Sequence, residues 1–357
     1  MGSGKVAFAM GGLAGNNAHG AGFLEAALEA QVLPIMISCT SGQILWVYRY
    51  LELLRKGLRL GLRSQLTEDI RQVRPTGEVN LDWASMVLFG KRNVARPAVG
   101  EYWADMSQNV SDVCRHMYER PRDVLLVQEL MEIIPARVLV PAFPDEFYEE
   151  IAAAFVGEKK VGIVFNSYNP GDGTEYVFLN EAARKLLGGK AYAPGRRNHY
   201  RKRTIYQEIT PQAVQDALWV YQYGFDRGCR FVDGAYFRQI ILSELTAADV
   251  IFAVRPINHC WKGHLPRNYP ELEDFKTEVG FDGSYCGERY QIELINALLE
   301  KGALTAEKKE KYHPIELVEL EIKRPRGFFD YVFEDMEVFK DAYKKGKEEL
   351  CKAEMPA

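Results

Sequence analysis

The chain has 357 residues, 45 Lys and Arg against 49 Asp and Glu, a formal charge of −4, 47% hydrophobic and 26% charged residues. These are globular proportions, which exclude disorder, a collagen-like repeat and a coiled-coil rod, and the length fits one large α/β domain with insertions or two domains. Six cysteines (Cys39, Cys114, Cys229, Cys260, Cys286, Cys351) are scattered without a short pair spacing, so they read as reduced thiols of a cytoplasmic protein, not as a disulfide framework or a zinc ribbon.

The apolar run Val6 to Met10 is too short for a signal-peptide core and is stopped by Gly11-Gly12, which fits a strand buried on both faces. No apolar run approaches the ~18 residues of a membrane span. The expectation is a soluble protein, with peripheral membrane contact left open. Phe23, Leu24, Ala27 and Leu28 recur at helical spacing, and Leu33 to Ile37 is a second apolar run. A β-α-β unit of this kind implies parallel strands with the functional crevice at their carboxyl ends. The second strand runs into Ser38-Cys39-Thr40-Ser41-Gly42, and Ile44 to Leu54 has helical spacing, so the loops at 11–20 and 38–42 are expected to meet at one rim.

From 57 to 140 the pattern is mainly helical, with aromatics at Trp83, Phe89, Tyr102 and Trp103; it reads as an insertion placed to act as a lid. Val161 to Asn166 and Tyr176 to Leu179 flank the turn Pro170-Gly171-Asp172-Gly173, which predicts a hairpin. Asp233-Gly234 follows the short strand Arg230 to Val232, and Val250 to Val254 reads as the last buried strand. Residues 1–260 are then one α/β core, and 261–357 a mostly helical extension packed on it.

A serine between a buried strand and a helix sits on a sharp turn with its hydroxyl exposed, the geometry of a nucleophile elbow. Ser41 has this context, although Cys39 and Gln43 stand where G-x-S-x-G has glycines; the competing reading is a helix N-cap. Gly11-Gly12-Leu13-Ala14-Gly15 offers backbone amides for an oxyanion hole or a phosphate, but it matches neither G-x-G-x-x-G nor a P-loop. None of the six histidines follows a strand as a triad partner would. Asp233 does stand in such a place, either as a carboxylate that takes the serine proton directly or as a turn residue. Arg196, Arg197, Arg201, Lys202 and Arg203, with Tyr200 interleaved, form a cationic loop that faces phosphate headgroups or is simply solvated. His259-Cys260 and His264 lack a second spaced pair, so no metal is expected.

Taken in order, Gly11-Gly12-Leu13-Ala14-Gly15, Gly22-Phe23-Leu24-Glu25-Ala26, Ile37-Ser38-Cys39-Thr40-Ser41-Gly42 and Val232-Asp233-Gly234-Ala235 resemble the motifs of the patatin-like phospholipases. Gly173-Thr174-Glu175-Tyr176-Val177-Phe178 and Ala247 to Val254 are similar to that family's later strands. The resemblance implies a three-layer α/β/α fold with a mostly parallel central sheet, Ser41 as nucleophile and Asp233 as its base. It implies the amides of Gly11, Gly12 and Leu13 as oxyanion donors. It further implies a serine esterase of lipid degradation, phospholipase A-like, needing no cofactor and no nucleic acid. An esterase for a non-lipid acyl ester or polyester, and an inactive patatin-like scaffold, are the alternatives. The family's basic residue in the oxyanion loop has no match after Gly15, and its Asn-Asn-Pro after the acid motif is here Tyr236-Phe237-Arg238-Gln239.

Overall fold

Apolar side chains on both sides of a strand demand cover on both sides, and the first runs of the chain find it at the centre of a sheet. The computed structural model describes residues 4–13, 17–73, 95–121, 126–137, 139–141, 143–225, 231–256, 265–304, 312–322 and 335–354. In it β1 (Val6–Met10) lies between β2 (Met36–Cys39) and β9 (Val250–Arg255), parallel to both. Beyond β2 come β5 (Gly162–Asn169), parallel to it, then β6 (Thr174–Leu179), antiparallel to β5, and β7 (Thr204–Glu208), parallel to β6. The predicted hairpin is β5 and β6. The short β8 (Val232–Asp233) pairs antiparallel with β5 at Ser167 and Tyr168, past the point where β2 has ended at Val164, so it continues the line of β2.

Helices cover both faces of this α/β, mostly parallel mixed sheet. On one face, Phe23 of α1 (Ala18–Ala30) meets Phe8 edge-on at 4.9 Å. The same face carries α2 (Gln43–Arg55) and α6 (Asp145–Gly157), whose Phe155 lies 6.0 Å from Phe165. On the other face Ala7, Ala9, Met36 and Val164 share a core with Ala183 of α7 (Glu181–Leu186) and with Tyr285 and Ile292 of the long α9 (Tyr269–Glu300). The last helix, α10 (Met336–Glu354), runs along α1, and a Cβ on Gly22 would come within 2.2 Å of Phe339 O. Glycine at 22 lets the two helices touch.

Two features depart from the expected order. Val250 to Val254 is not the last strand, because β10 (Glu316–Glu321) pairs parallel with β9 at the sheet edge. Val318 and Leu320 share one face of it while Glu319 lies on the other, which suits an edge strand wetted on one side, within an extension expected to be mostly helical. The segment after 260 therefore builds part of the sheet as well as packing on it. The chain also divides into two compact units, one of Met1–Ile70, Pro144–Leu218 and Phe231–Ala357, the other of Arg71–Phe143 and Trp219–Arg230. The first holds the main sheet together with most of α3 (Leu62–Val73). In the second, α4 (Val99–Glu119) and α5 (Leu126–Glu132) are tied by His116 Nδ1 and Glu129 at 2.9 Å. There too β3 (Ala95–Pro97) pairs with β4 (Leu139–Pro141), and Arg137 Nε donates to Asp105 at 3.0 Å. Trp83, Phe89, Ala14, Gly15, Asn16, Cys229, His259, Cys260 and His264 lie outside the described residues. Among the described residues, no helix is long and apolar enough to cross a membrane.

Candidate active site

Ser41 leaves β2 with φ +54°, one of two non-glycine residues with positive φ among those described. A side chain in the left-handed region is strained, and such strain persists only where surrounding packing enforces it. Here the enforcing contacts are tight. A Cβ on Gly12 would sit 2.2 Å from Thr40 O and 2.5 Å from Ser41 Cβ, so only glycine lets the β1 loop lie against the turn. The Thr40 hydroxyl donates to Gln239 O at 2.5 Å and accepts the Gly12 N–H at 2.8 Å. Gln239 Nε2 in turn donates to Gly12 O at 3.0 Å.

The two residues that replace elbow glycines are accommodated. Cys39 is fully buried, and burial pushes its thiol pKa far up, so it is an inert packing residue. Gln43 fills the space left by Gly20, where a Cβ would fall 1.9 Å from Gln43 Oε1. Its Nε2 donates to Asn17 O at 3.2 Å and lies 2.9 Å from His19 Nε2, which is 2.8 Å from Gly11 O. His19 thus braces the glycine loop through Gly11 O.

Asp233 ends β8 and is buried, with Oδ1 accepting the Ala235 N–H at 2.9 Å and the Ser41 hydroxyl near enough to its carboxyl to pull the pKa down. Burial pushes its pKa up to about 7, while the bonds from Ser41 and Ala235 act the other way. A base poised near neutrality is what proton transfer from a serine requires. Gly234 is needed for close approach, since a Cβ there would lie 2.1 Å from Asn166 Oδ1. The structure thus brings Ser41 and Asp233 together through strands β2, β5 and β8.

The three expected oxyanion amides are a correction. Gly11 N–H continues the β1 ladder to Val254 O at 3.0 Å, Gly12 N–H is held by Thr40 Oγ1, and Leu13 N–H donates to Asn17 Oδ1 at 3.1 Å. Polar side chains at 17 and 40 compete for amides that the glycine pattern alone leaves open. Gly42 N–H, next to Ser41 at the start of α2, has no hydrogen-bond partner among the described residues.

Just past Asp233 stands a residue that the motif reading passed over. Arg238 is fully buried, with Nε donating to Glu175 at 2.8 Å and Nη1 donating to Glu244 at 2.7 Å, Ser243 at 2.8 Å and Glu288 at 3.2 Å. Burial alone would lower its pKa, but the three carboxylates outweigh burial and hold it well above the usual value. Glu288 also pairs with Arg201, so this member of the cationic loop points inward. That corrects its expected headgroup role. Arg196, Arg197, Lys202 and Arg203 are exposed and form no ion pair with any described carboxylate. Their loop precedes β7, whose Thr204 pairs with Glu175 beside the carboxyl end of β5. Because β5 runs parallel to β2, the loop lies at the same end of the sheet as Ser41.

No protein-family model matches the chain, and no curated protein matches it. Among solved structures, the crystal structure of VipD from Legionella pneumophila is similar over 99% of this chain and 67% of that one, with 10% identity and a TM-score of 0.31. At that level of likeness the functional reading rests on the site itself.

Proposed function

We propose that the chain is a serine acyl-ester hydrolase working through a Ser41–Asp233 dyad. The observation that carries the reading is a strained Ser41, at φ +54°, whose hydroxyl stands beside a buried carboxyl with a pKa of about 7. In the proposed cycle Asp233 takes the Ser41 proton as Oγ bonds to the ester carbonyl carbon, and then passes that proton to the departing alkoxide. Asp233 next takes a proton from water, the hydroxide attacks the acyl carbon, and Ser41 Oγ leaves with the proton returned. Gly42 N–H supplies one donor for the oxyanion.

The family resemblance favours a lipid acyl ester, with a non-lipid acyl ester or polyester as the other substrate classes. The four unpaired cations at the Ser41 end of the sheet support docking on an anionic lipid surface. The occupied amides of Gly11, Gly12 and Leu13 favour a second reading, a scaffold that has lost turnover. Hydrolysis of short p-nitrophenyl esters separates the two. The dyad reading expects turnover that Ser41→Ala abolishes with folding intact; no turnover in the wild type, or equal turnover in the variant, rejects it.

A further inference from the structure

The site contains a hydroxyl that no contact uses. Ser167 lies on β5 directly across from Asp233 in the antiparallel pair that β5 makes with β8. Cross-strand partners project on the same face with Cβ atoms about 4.5–5.5 Å apart. Ser167 is fully buried, and its Oγ has no hydrogen-bond partner among the described residues. A buried hydroxyl is normally bonded, and leaving one unpaired costs about 1–3 kcal/mol. Its neighbour Asn166 points to the opposite face, where Nδ2 donates to Glu175 at 2.8 Å, so the Arg238 cluster does not compete for Ser167.

We propose that Ser167 is a positioning residue of the dyad, whose hydroxyl turns onto the Asp233 carboxylate and holds it once Ser41 no longer donates. The inference rests on the dyad reading. In the acyl-enzyme, Ser41 Oγ is bonded to the acyl carbon and has no hydrogen, and the alcohol has left with the proton that Asp233 carried. Asp233 is then a buried carboxylate whose remaining donor is the Ala235 amide. Rotation of Ser167 about its Cα–Cβ bond supplies the missing donor without moving either strand. Deacylation needs this carboxylate kept ionised and aimed while water enters, so Ser167 acts in the second half of the cycle.

The ionisable groups on the elements around β8 are Cys39 of β2, Tyr176 of β6, Asp216 of α8 (Pro211–Ala217), and Glu175 and Arg238 on the far face of β5. None of these is among the groups that move Asp233, which are its burial, Ser41 and Ala235. Asp216 is itself pushed up to about 6 by burial, so Asp216→Asn serves as a control.

The test reads Asp233 directly and needs no turnover. Ser41→Ala protein, a parent in which residue 41 cannot donate, is labelled with 13C at aspartate carboxyls and titrated by NMR, the Asp233 signal being the one missing when Asp233→Asn is added. A donor to the charged form lowers a carboxyl pKa, so Ser167→Ala is expected to raise the Asp233 midpoint by about one pH unit. Ser167→Thr, which keeps the hydroxyl, restores it. Ser167→Cys, with a weaker donor of similar shape, moves the midpoint upward as well and keeps the test open if the alanine variant does not fold. Equal midpoints in the Ser41→Ala parent and in its Ser167→Ala or Ser167→Cys derivative overturn the proposal. With a p-nitrophenyl ester, Ser167→Ala should slow deacylation about tenfold more than acylation and enlarge the burst; equal slowing of both steps overturns the assignment to deacylation. A shifted midpoint together with a wild type that has no esterase activity would reject the dyad as a hydrolase while leaving the Ser167 contact standing.

Discussion

Asp233 and Arg238 lie five residues apart in one segment, and both are buried, yet the fold does opposite things to them. Asp233 faces a hydroxyl and an amide, with no cation among the groups that move it, and burial drives its pKa up to about 7. Arg238 faces Glu175, Glu244 and Glu288 and is held charged. Burial beside neutral groups makes a titratable group adjustable, whereas burial among counter-ions fixes its charge. The first environment suits a base that gains and loses a proton in each turnover. The second suits a tether, and here it ties the acid segment to β6 and α9.

The largest effect should come from removing the adjustable member. Asp233→Asn keeps the shape but not the base, so ester hydrolysis should fall on the order of 10³-fold with the fold retained. A larger loss from His19→Gln than from Asp233→Asn would break the comparison by replacing the dyad with a histidine base. Arg238→Met should leave buried Glu175 and Glu244 without their cation, Glu288 keeping Arg201, and lower stability by about 3–5 kcal/mol in urea unfolding, with Arg238→Lys falling between the two. Equal stability of all three would show that the cluster is not a tether.

The pH dependence of stability sharpens the contrast. Because the Asp233 pKa is raised on folding, the folded chain keeps a proton that the unfolded chain releases between about pH 4 and pH 7. Its contribution to stability is fully present below that window and is lost as pH rises through about 7. Asp233→Asn should therefore gain stability relative to the wild type across this range, reaching roughly 2–4 kcal/mol above it. A difference independent of pH would contradict the raised pKa.

The smallest effect per residue concerns two neighbours in the cationic loop. Lys202 is exposed, whereas Arg201 is paired with Glu288. Replacing Arg196, Arg197, Lys202 and Arg203 with Gln should weaken binding to anionic vesicles by roughly 1 kcal/mol per residue at low salt, with the difference shrinking as salt is added. Arg201→Gln should instead lower stability. Equal vesicle binding by wild type and quadruple variant would remove the membrane part of the reading.

The parallel β-α-β unit, the sharp turn at Ser41 and the place of Asp233 at a strand end were legible because each depends on local pattern: a two-sided apolar run, a small residue before a helix, an acid-glycine pair after a strand. What escaped depends on partners distant in sequence. Glu288 reaches Arg238 across 50 residues, and Gln239 reaches Gly12 across 227. Glu175 within a largely apolar strand, and a lone Arg238 in the segment leading to the apolar Ile240-Ile241-Leu242, were the available signs of a buried ion cluster. The oxyanion amides were misjudged because glycine content reports backbone freedom and says nothing about neighbouring acceptors such as Thr40 Oγ1 and Asn17 Oδ1.

The central claim is that Ser41 is a nucleophile activated by Asp233. Reaction with a fluorophosphonate across pH 5 to 9, followed by peptide mapping, tests it most directly. The account predicts a single adduct on Ser41, a labelling rate that rises through a midpoint of about 7, and its loss in Asp233→Asn. An unlabelled Ser41, or labelling at the same rate in Asp233→Asn, would contradict it.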